Sequence, residues 1–347
     1  MALPRSIRME RWAAQCVCAV LLLASSSPPA VAGEAACADP TSYYAAIATS
    51  TPDQLRSDLH ARIRGHQRIP YTSATMLDTW TVLEVSDEDP ADSNRIVDVY
   101  RNISYPKGTS GARLYEREHS WPSSYGFPVD GSANYPFTDV HHLHLSDPSY
   151  NGSRGNLPFG WCPSACAERP TEFTNGVGGG TGVYPGNSNW RGGGYWEVWW
   201  RRRGDIARGL LYLDVRYEGG FHPLTGAAEP DLILTDDPAF IVTSGGQNAA
   251  VAHMGLLSVL LAWHEADPPD ARDQDRNEAA CAAQGNRNPF TDRPAWARCV
   301  FLTDCRSDPV FSDGFEANLT GLITSKSSRT RRGWFAPNSP RSRRRSS

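Results

Sequence analysis

The feature that most constrains the fold of this chain is a polar segment that spans residues 115–160. It is dense in histidine, aspartate, asparagine and arginine, and residues with helical patterns precede and follow it. Across the whole sequence, 40% of residues are hydrophobic and 21% are charged. That composition is typical of a globular protein and excludes wholesale disorder. A folded domain must therefore hold this polar segment in place.

Apolar residues recur at helix-like spacings on both sides of the polar segment. The predicted helices lie within residues 41–69, 204–217, 249–266 and 270–284. Residues 79–100 are predicted to form two strands around an acidic turn, because TWTVLEV and RIVDVY are rich in β-branched and aromatic residues. Since helices flank the polar segment on both sides, one domain is simpler than two. We predict an α+β fold with a single mixed domain over residues 33–305.

The N-terminus has the pattern of a secretory signal peptide over residues 1–32. Arginines precede an apolar stretch at about residues 12–24, and Ala30-Val31-Ala32 fits a small-x-small cleavage site. The apolar stretch is short for a membrane anchor, and no second long apolar run follows. We expect cleavage after Ala32, a secreted or periplasmic protein, and no stable membrane association afterwards.

Six cysteines remain after that cleavage, an even number that is typical of disulfides in an exported protein. They are Cys37, Cys162, Cys166, Cys281, Cys299 and Cys305. Short loops favour the pairs Cys162–Cys166 and Cys299–Cys305, which leaves Cys37 and Cys281 to join the two ends of the domain. A zinc site is the alternative, although the spacings include no CxxC pair.

Residues 306–347 differ from the rest of the chain. They begin with an acidic-aromatic segment and become rich in serine, arginine and proline, so we expect disorder from about residue 318. Both this tail and residues 1–32 carry net positive charge, whereas the whole chain has a net charge of −4. The domain itself is therefore more acidic than the total, and at long range it should repel polyanions.

Strand, strand and helix are predicted in order within the polar segment. The first strand covers 115–121 and stops before Pro122, and the second covers 139–145. Ser146 or Asp147 can cap a helix whose first position is Pro148. Asn151 and Arg154 would share one face of that helix and lie opposite Glu118 and His119.

These residue types match the needs of phosphodiester hydrolysis. A neutral histidine such as His119 can activate water near pH 7. A carboxylate with an amide oxygen, as in Glu118 and Asn151, suits Mg²⁺ that keeps several waters. An arginine such as Arg154 can bind a phosphate bidentately. The neighbouring histidines at 141, 142 and 144 offer an alternative zinc site.

The ordered motifs resemble the bacterial endonuclease I family of exported, non-specific nucleases. The similarity extends over about residues 40–300. The matching segments are Glu118-His119-Ser120-Trp121-Pro122, Asp139-Val140-His141-His142-Leu143, Asn151-Gly152-Ser153-Arg154-Gly155-Asn156, Gly204-Asp205-Ile206-Ala207-Arg208, Arg216-Tyr217, Leu261-Ala262-Trp263-His264, Asp267-Pro268, Arg276-Asn277 and Gln284-Gly285-Asn286-Arg287-Asn288-Pro289-Phe290.

The resemblance implies a ββα-metal (His-Me finger) core surrounded by helices, and products with 5′-phosphates. It makes His119 the general base, and Glu118 and Asn151 the ligands of one Mg²⁺-type ion, for which Ca²⁺ or Mn²⁺ could substitute. Arg154 would be catalytic or contact phosphate. The supporting or phosphate-contacting candidates are Arg117, His142, Asn156 and Arg208.

Some relatives place a phosphate-binding arginine shortly after the EHxxP motif, but residues 123–130 contain none. Arg154, Arg117 or the run Arg201–Arg203 could supply it. Tryptophans at 190, 196, 199 and 200 lie near that run and could stack on bases, or they could be buried.

We therefore predict a monomeric, secreted, metal-dependent endonuclease that degrades DNA and RNA without base specificity. Phosphate contacts alone carry no sequence information, which is consistent with such tolerance. Two alternatives are a zinc phosphoesterase that acts on small phosphate esters and a catalytically inactive nucleic-acid-binding protein on the same scaffold.

Overall fold

A computed structural model describes residues 37–108 and 113–305. The predicted signal peptide and the predicted disordered tail lie outside the described residues. Helices and strands alternate along the chain, which confirms the mixed α+β content. None of the helices in the described ranges is long and apolar enough to cross a membrane.

The helices of the described chain vary from one turn to four. They are α1 (Pro40–Tyr43), α2 (Pro52–Ile63), α3 (Thr79–Ser86), α4 (Pro148–Arg154), α5 (Arg203–Arg216), α6 (Leu257–Ala266), α7 (Ala271–Gln284), α8 (Pro289–Asp292) and α9 (Trp296–Leu302), with short 3-10 helices at Pro136–Thr138 and Pro238–Phe240. Helix α7 has the predicted bounds: Asp270 caps its first turn, and Gly285 ends it in the left-handed conformation at φ 86°.

The strands form four small sheets. They are β1 (Glu88–Asp89), β2 (Asp92–Val97), β3 (Ser104–Pro106), β4 (Glu116–His119), β5 (Leu143–Ser146), β6 (Ala167–Pro170), β7 (Ser188–Gly192), β8 (Tyr195–Glu197), β9 (Asp231–Leu234) and β10 (Val251–Met254). Strands β1-β2-β3 and β6-β7-β8 form antiparallel sheets, β4 pairs antiparallel with β5, and β9 pairs parallel with β10.

Helix α5 lies at the centre of the core. Almost all of its residues are buried, including its charged side chains. Those charges have partners: Arg208 pairs with Asp273 at 2.7 Å, and Arg216 pairs with Glu229 at 2.6 Å. A helix that is buried on all sides is a core element, and buried charges require such pairing.

Three predictions of secondary structure differ from the structure. Residues 79–86 form α3 and not a strand. Asp78 caps this helix, and Thr79, Val82, Leu83 and Ser86 bury one face at helical spacing. In this segment, packing and the cap outweighed the β-propensity of its residues.

The segment 249–266, predicted as one helix, is instead β10 followed by α6. Gly255 lies between them, where a Cβ atom would collide with the carbonyl oxygen of Thr235. The close approach of these two backbones separates the strand from the helix. The predicted helix within 41–69 is likewise divided, into α1 and α2.

All three predicted disulfides are present. Cys37 bonds to Cys281 on α7, across 244 residues of sequence. The other pairs, Cys162–Cys166 and Cys299–Cys305, close short loops. The long-range disulfide attaches the start of the domain to α7, which packs against α3.

Candidate active site

The β4–β5 pair and α4 bring the predicted site residues together. In the antiparallel register, Glu118 lies opposite His144, and His119 lies opposite Leu143. Because side chains alternate along a strand, Glu116 and Glu118 share one face. Asn151 on α4 donates from Nδ2 to Oε2 of Glu116 at 3.0 Å. Helix α4 therefore lies against the glutamate face of β4.

Glu118 is buried, with 3% of its surface exposed. Its Oε1 accepts a hydrogen bond from the Tyr100 hydroxyl at 2.8 Å and pairs with Arg154 at 3.1 Å. Burial raises the pKa of Glu118, and the Arg154 charge opposes that rise. Within the described ranges, Oε2 of Glu118 makes no hydrogen bond, so it remains open to a further ligand.

His119 has a defined tautomer. Its Nε2 lies 2.9 Å from the carbonyl oxygen of Phe137, which can only accept a hydrogen bond. Nε2 therefore carries the proton, and the lone pair of the neutral ring is on Nδ1. No residue of the described ranges donates to Nδ1. Burial, with a contribution from His142, lowers the pKa of His119 to about 3, so the ring is neutral at pH 7.

Arg154 connects α4 to the end of β4. It is 1% exposed and donates to the carbonyl oxygens of His119 at 3.1 Å and Ser120 at 2.5 Å. Its guanidinium also stacks on the Phe159 ring at 4.6 Å. These contacts place the side chain of Glu118 and the backbone of His119. They support a positioning role for Arg154 more than direct contact with a phosphate.

The residues present fit a hard divalent cation. Oε2 of Glu118 and Oδ1 of Asn151 are carboxylate and amide oxygens, and neither is engaged by a donor from residues 37–108 or 113–305. Such oxygens suit Mg²⁺, which is commonly held by few protein groups and several waters.

The histidine cluster gives little support to a zinc site. Nε2 of His141 bonds to the Asn286 carbonyl at 3.0 Å, and Nε2 of His142 bonds to the Pro136 carbonyl at 2.8 Å. In the part of the chain that the structure describes, no group of three or more His, Cys, Asp or Glu side chains is arranged to hold a metal.

The other predicted site residues lie in different surroundings. Arg117 stacks on aromatic rings beside the site, whereas His142 packs behind His119 with ring centroids 5.4 Å apart. Asn156 is exposed just after α4. Arg208 is fully buried and donates to Asp205, Asp273 and the Asp267 carbonyl. The contacts of Arg208 stabilise the core and do not bring it to the site.

The tryptophans predicted to stack on bases are mostly buried. Trp190, Trp196 and Trp199 belong to the core, and only Trp200 of that group is exposed, at 46%. Arg202 is also buried. The packing of β7, β8 and the start of α5 therefore removes most of the predicted basic and aromatic patch from the surface.

Sequence reasoning missed two groups that orient the site. Tyr100 donates to Glu118, and the backbone carbonyl of Phe137 determines the His119 tautomer. Tyr100 belongs to the RIVDVY segment, which was interpreted only as a strand, and a backbone carbonyl leaves no signal in residue type.

Comparisons with known proteins give this chain a family. The family model of Endonuclease I matches residues 51–295. An extracellular ribonuclease of Bacillus amyloliquefaciens is 35% identical over 263 residues, which cover 75% of this chain and 78% of that protein. An extracellular ribonuclease of Bacillus subtilis (strain 168) is similar to the same extent. This chain belongs to the endonuclease I family and is a nuclease, a hydrolase of phosphodiester bonds.

Proposed function

We propose that this chain is an exported, metal-dependent endonuclease that hydrolyses RNA and DNA with little dependence on base sequence. The observation that carries the proposal is the free Nδ1 lone pair of His119 beside Glu118. A neutral imidazole with a known tautomer, next to a carboxylate and an amide oxygen, supplies a base and a cation site together. We further propose that β4, β5 and α4 form a ββα-metal unit.

His119 acts as the general base in this mechanism. Its Nδ1 accepts a proton from the attacking water, while the hydrogen bond from Nε2 to Phe137 holds the ring in place. An anionic phosphate nearby favours the protonated ring and so raises its proton affinity during attack. Arg154 keeps the His119 backbone in position throughout.

Glu118 and Asn151 would hold the Mg²⁺-type ion. When bound, the ion supplies positive charge that stabilises the phosphorane and the leaving oxygen. Tyr100 and Arg154 both contact Oε1 of Glu118, which directs the other oxygen towards the site. The two protein ligands therefore come from different elements, β4 and α4, whose relative position Arg154 maintains.

Two observations support the substrate and the location. The relatives from Bacillus are named extracellular ribonucleases, which supports RNA as a substrate and export of this chain. Glu118, His119 and Asn151 would contact the phosphate and the reaction centre and not base edges, which supports cleavage of DNA as well. The acidic domain should repel polyanions, so we expect weak binding of nucleic acid unless divalent ions are present.

Cleavage assays test the proposal directly. The oxidised chain without residues 1–32 is incubated with supercoiled plasmid and with structured RNA, in Mg²⁺ or in EDTA. We expect degradation of both polymers in Mg²⁺ only. His119→Ala should reduce the cleavage rate by about 10²–10⁴-fold and leave Mg²⁺ binding intact, whereas His253→Ala on β10 is the matched control.

Three outcomes would contradict the proposal. Cleavage by His119→Ala at the wild-type rate would show that His119 is not the general base. Restoration of activity by Zn²⁺ alone after chelation would favour the zinc phosphoesterase. Tight binding of a folded, oxidised sample to DNA without cleavage would favour a binding protein.

A further inference from the structure

An open cavity of about 520 Å³ lies directly beside the candidate active site. Its walls include Tyr71, Trp80, Arg113, Glu116 and Arg117. Its size is in the range of sites that bind small ligands or parts of larger ones. Nothing in the catalytic role of His119 or Glu118 requires such a cavity.

Residues that line the cavity adjoin the proposed catalytic residues. Glu116 and Arg117 immediately precede Glu118 and His119 on β4. Glu116 accepts a hydrogen bond from Asn151, and the Tyr71 ring stacks on the His119 ring with centroids 5.8 Å apart at an angle of 29°. A ligand in this cavity would therefore lie next to a phosphate at His119.

Planar groups stack in a row along the cavity wall. The Arg117 guanidinium lies 3.3 Å from the Tyr71 ring centroid and 4.0 Å from that of Trp80, and the Arg113 guanidinium lies 4.5 Å from Trp80. Arg117 also donates to the Thr79 hydroxyl at 2.8 Å. Because Tyr71, Trp80 and Thr79 hold its guanidinium in place, Arg117 is a fixed part of the cavity wall.

Arg113 and Glu116 have free polar atoms in the same cavity. Arg113 donates to Glu84 only through Nε, at 2.7 Å, and its two terminal nitrogens have no partner among the residues described. Glu116 is exposed, and only its Oε2 is engaged, by Asn151. The cavity thus combines a cation for a phosphate, a row of stacked planar groups that a base can extend, and an acceptor for base N–H groups.

We propose that this cavity is a nucleotide subsite that holds the nucleotide next to the scissile phosphate in a single-stranded chain. Arg113 contacts its phosphate, its base extends the row by stacking on the face of the Arg113 guanidinium that Trp80 leaves uncovered, and Glu116 accepts a hydrogen bond from its edge. A base paired within a duplex keeps its faces stacked on its neighbours, so only an unpaired base can use this wall. This inference rests on the proposed function, since it assumes that the scissile phosphate lies at His119.

Binding without cleavage tests the subsite separately from catalysis. In EDTA, fluorescence anisotropy compares a labelled single strand with the duplex of the same sequence. Trp80→Leu keeps apolar packing but loses the indole on which Arg113 stacks, and should weaken single-strand binding about tenfold with less effect on the duplex. Trp80→Phe should restore part of the loss, and Arg113→Gln should weaken binding in a way that disappears at high salt.

Arg298→Gln on α9 is the charge control, because its partners are Glu265 and Asp304. In Mg²⁺, Trp80→Leu and Arg113→Gln should each raise KM for single-stranded RNA while kcat changes little. Unchanged single-strand affinity in both folded variants would overturn the subsite while leaving the nuclease proposal intact, and so would equal losses for single strand and duplex. A wild-type protein that binds single strands through Trp80 but cleaves nothing would instead contradict the proposed function.

Discussion

Two clusters of polar side chains lie close in sequence and differ in how completely they are satisfied. One, at the end of β4 and on α4, contains Glu118, His119 and Asn151, each with an oxygen or nitrogen that no described residue engages. The other is centred on Asp139, in the loop that leads into β5. Asp139 is wholly buried, and both its oxygens are occupied.

The Asp139 cluster joins distant parts of the chain. Asp139 accepts hydrogen bonds from the hydroxyls of Tyr212 at 2.9 Å and Tyr217 at 3.0 Å, and from Nε2 of Gln284 at 2.9 Å. Asn286 binds the Ile63 carbonyl and the Tyr212 hydroxyl. The pKa of Asp139 is lowered because nearby histidines and hydrogen bonds outweigh its burial.

This difference between the two clusters separates residues that stabilise the fold from residues that carry the chemistry. Gln284 and Asn286 belong to the most distinctive motif of the sequence, QGNRNPF, yet they connect the centre of the core and have few free atoms for a substrate. The site residues belong to shorter motifs and retain unused lone pairs. A polar residue in a recognisable motif is therefore not by itself evidence of catalysis, and the free atoms are the better guide.

Asp139→Ala should have the largest effect, and on stability. It leaves the buried hydroxyls of Tyr212 and Tyr217 without an acceptor and removes one of the two acceptors of Gln284 Nε2, so we expect the free energy of unfolding to fall by more than about 3 kcal/mol. Denaturant unfolding measures this, with the exposed Asp130→Ala as control. Cleavage per folded molecule should persist at low temperature. A stable Asp139→Ala protein that no longer cleaves would place this cluster in the chemistry.

Asn151→Ala should lower activity and leave stability intact, which is the opposite of the result expected for Asp139→Ala. Cleavage at limiting Mg²⁺ should fall by at least about 100-fold, as expected for a lost ligand. Stability should stay the same or rise slightly, because alanine favours a helix more than asparagine does. The Mg²⁺-induced rise in Tm reports the metal directly, and Ser153→Ala on the same helix is the control. An unchanged Mg²⁺ dependence would show that Asn151 is not a ligand.

Local signals explain what could be predicted of the site. Asp147 caps α4 and Pro148 begins it, so the bounds of this helix follow from neighbouring residues. The pairing of β4 with β5 follows from two short strands separated by a loop. The burial of Arg154 did not follow, because its partners are backbone carbonyls 34 and 35 residues earlier in the chain.

Tertiary packing explains what was missed elsewhere. Thr79, Val82, Leu83 and Ser86 have helical spacing, but the β-branched residues among them gave the stronger local signal. The cavity beside the site depends on α3 and its preceding loop, which bring Trp80 and Tyr71 to β4. No motif joins those segments in sequence, so the cavity was visible only once α3 was placed.

The smallest predicted effect concerns the pH dependence of stability, and it too separates scaffold from site. His264 on α6 is buried, donates from Nε2 to the Pro294 carbonyl at 2.9 Å, and has a pKa lowered to about 4 by its burial. Since the unfolded ring has a pKa near 6.5, the unfolded state binds more protons between these two values. Stability from the neutral ring is therefore complete above pH 6.5 and is lost as the pH falls towards 4.

At pH 5 this loss should amount to about 2 kcal/mol relative to pH 8, from one residue. His264→Gln keeps the donor to Pro294 but cannot be protonated, so its stability should fall by that much less between pH 8 and pH 5. Denaturant unfolding at each pH measures the difference, and His253→Gln is the control. Equal pH dependence in wild type and His264→Gln would show that folding does not lower the pKa of His264. A change confined to stability, with kcat unaffected, would place His264 in the scaffold with Asp139, because protonation of a scaffold group shifts the folding equilibrium without altering the reacting atoms.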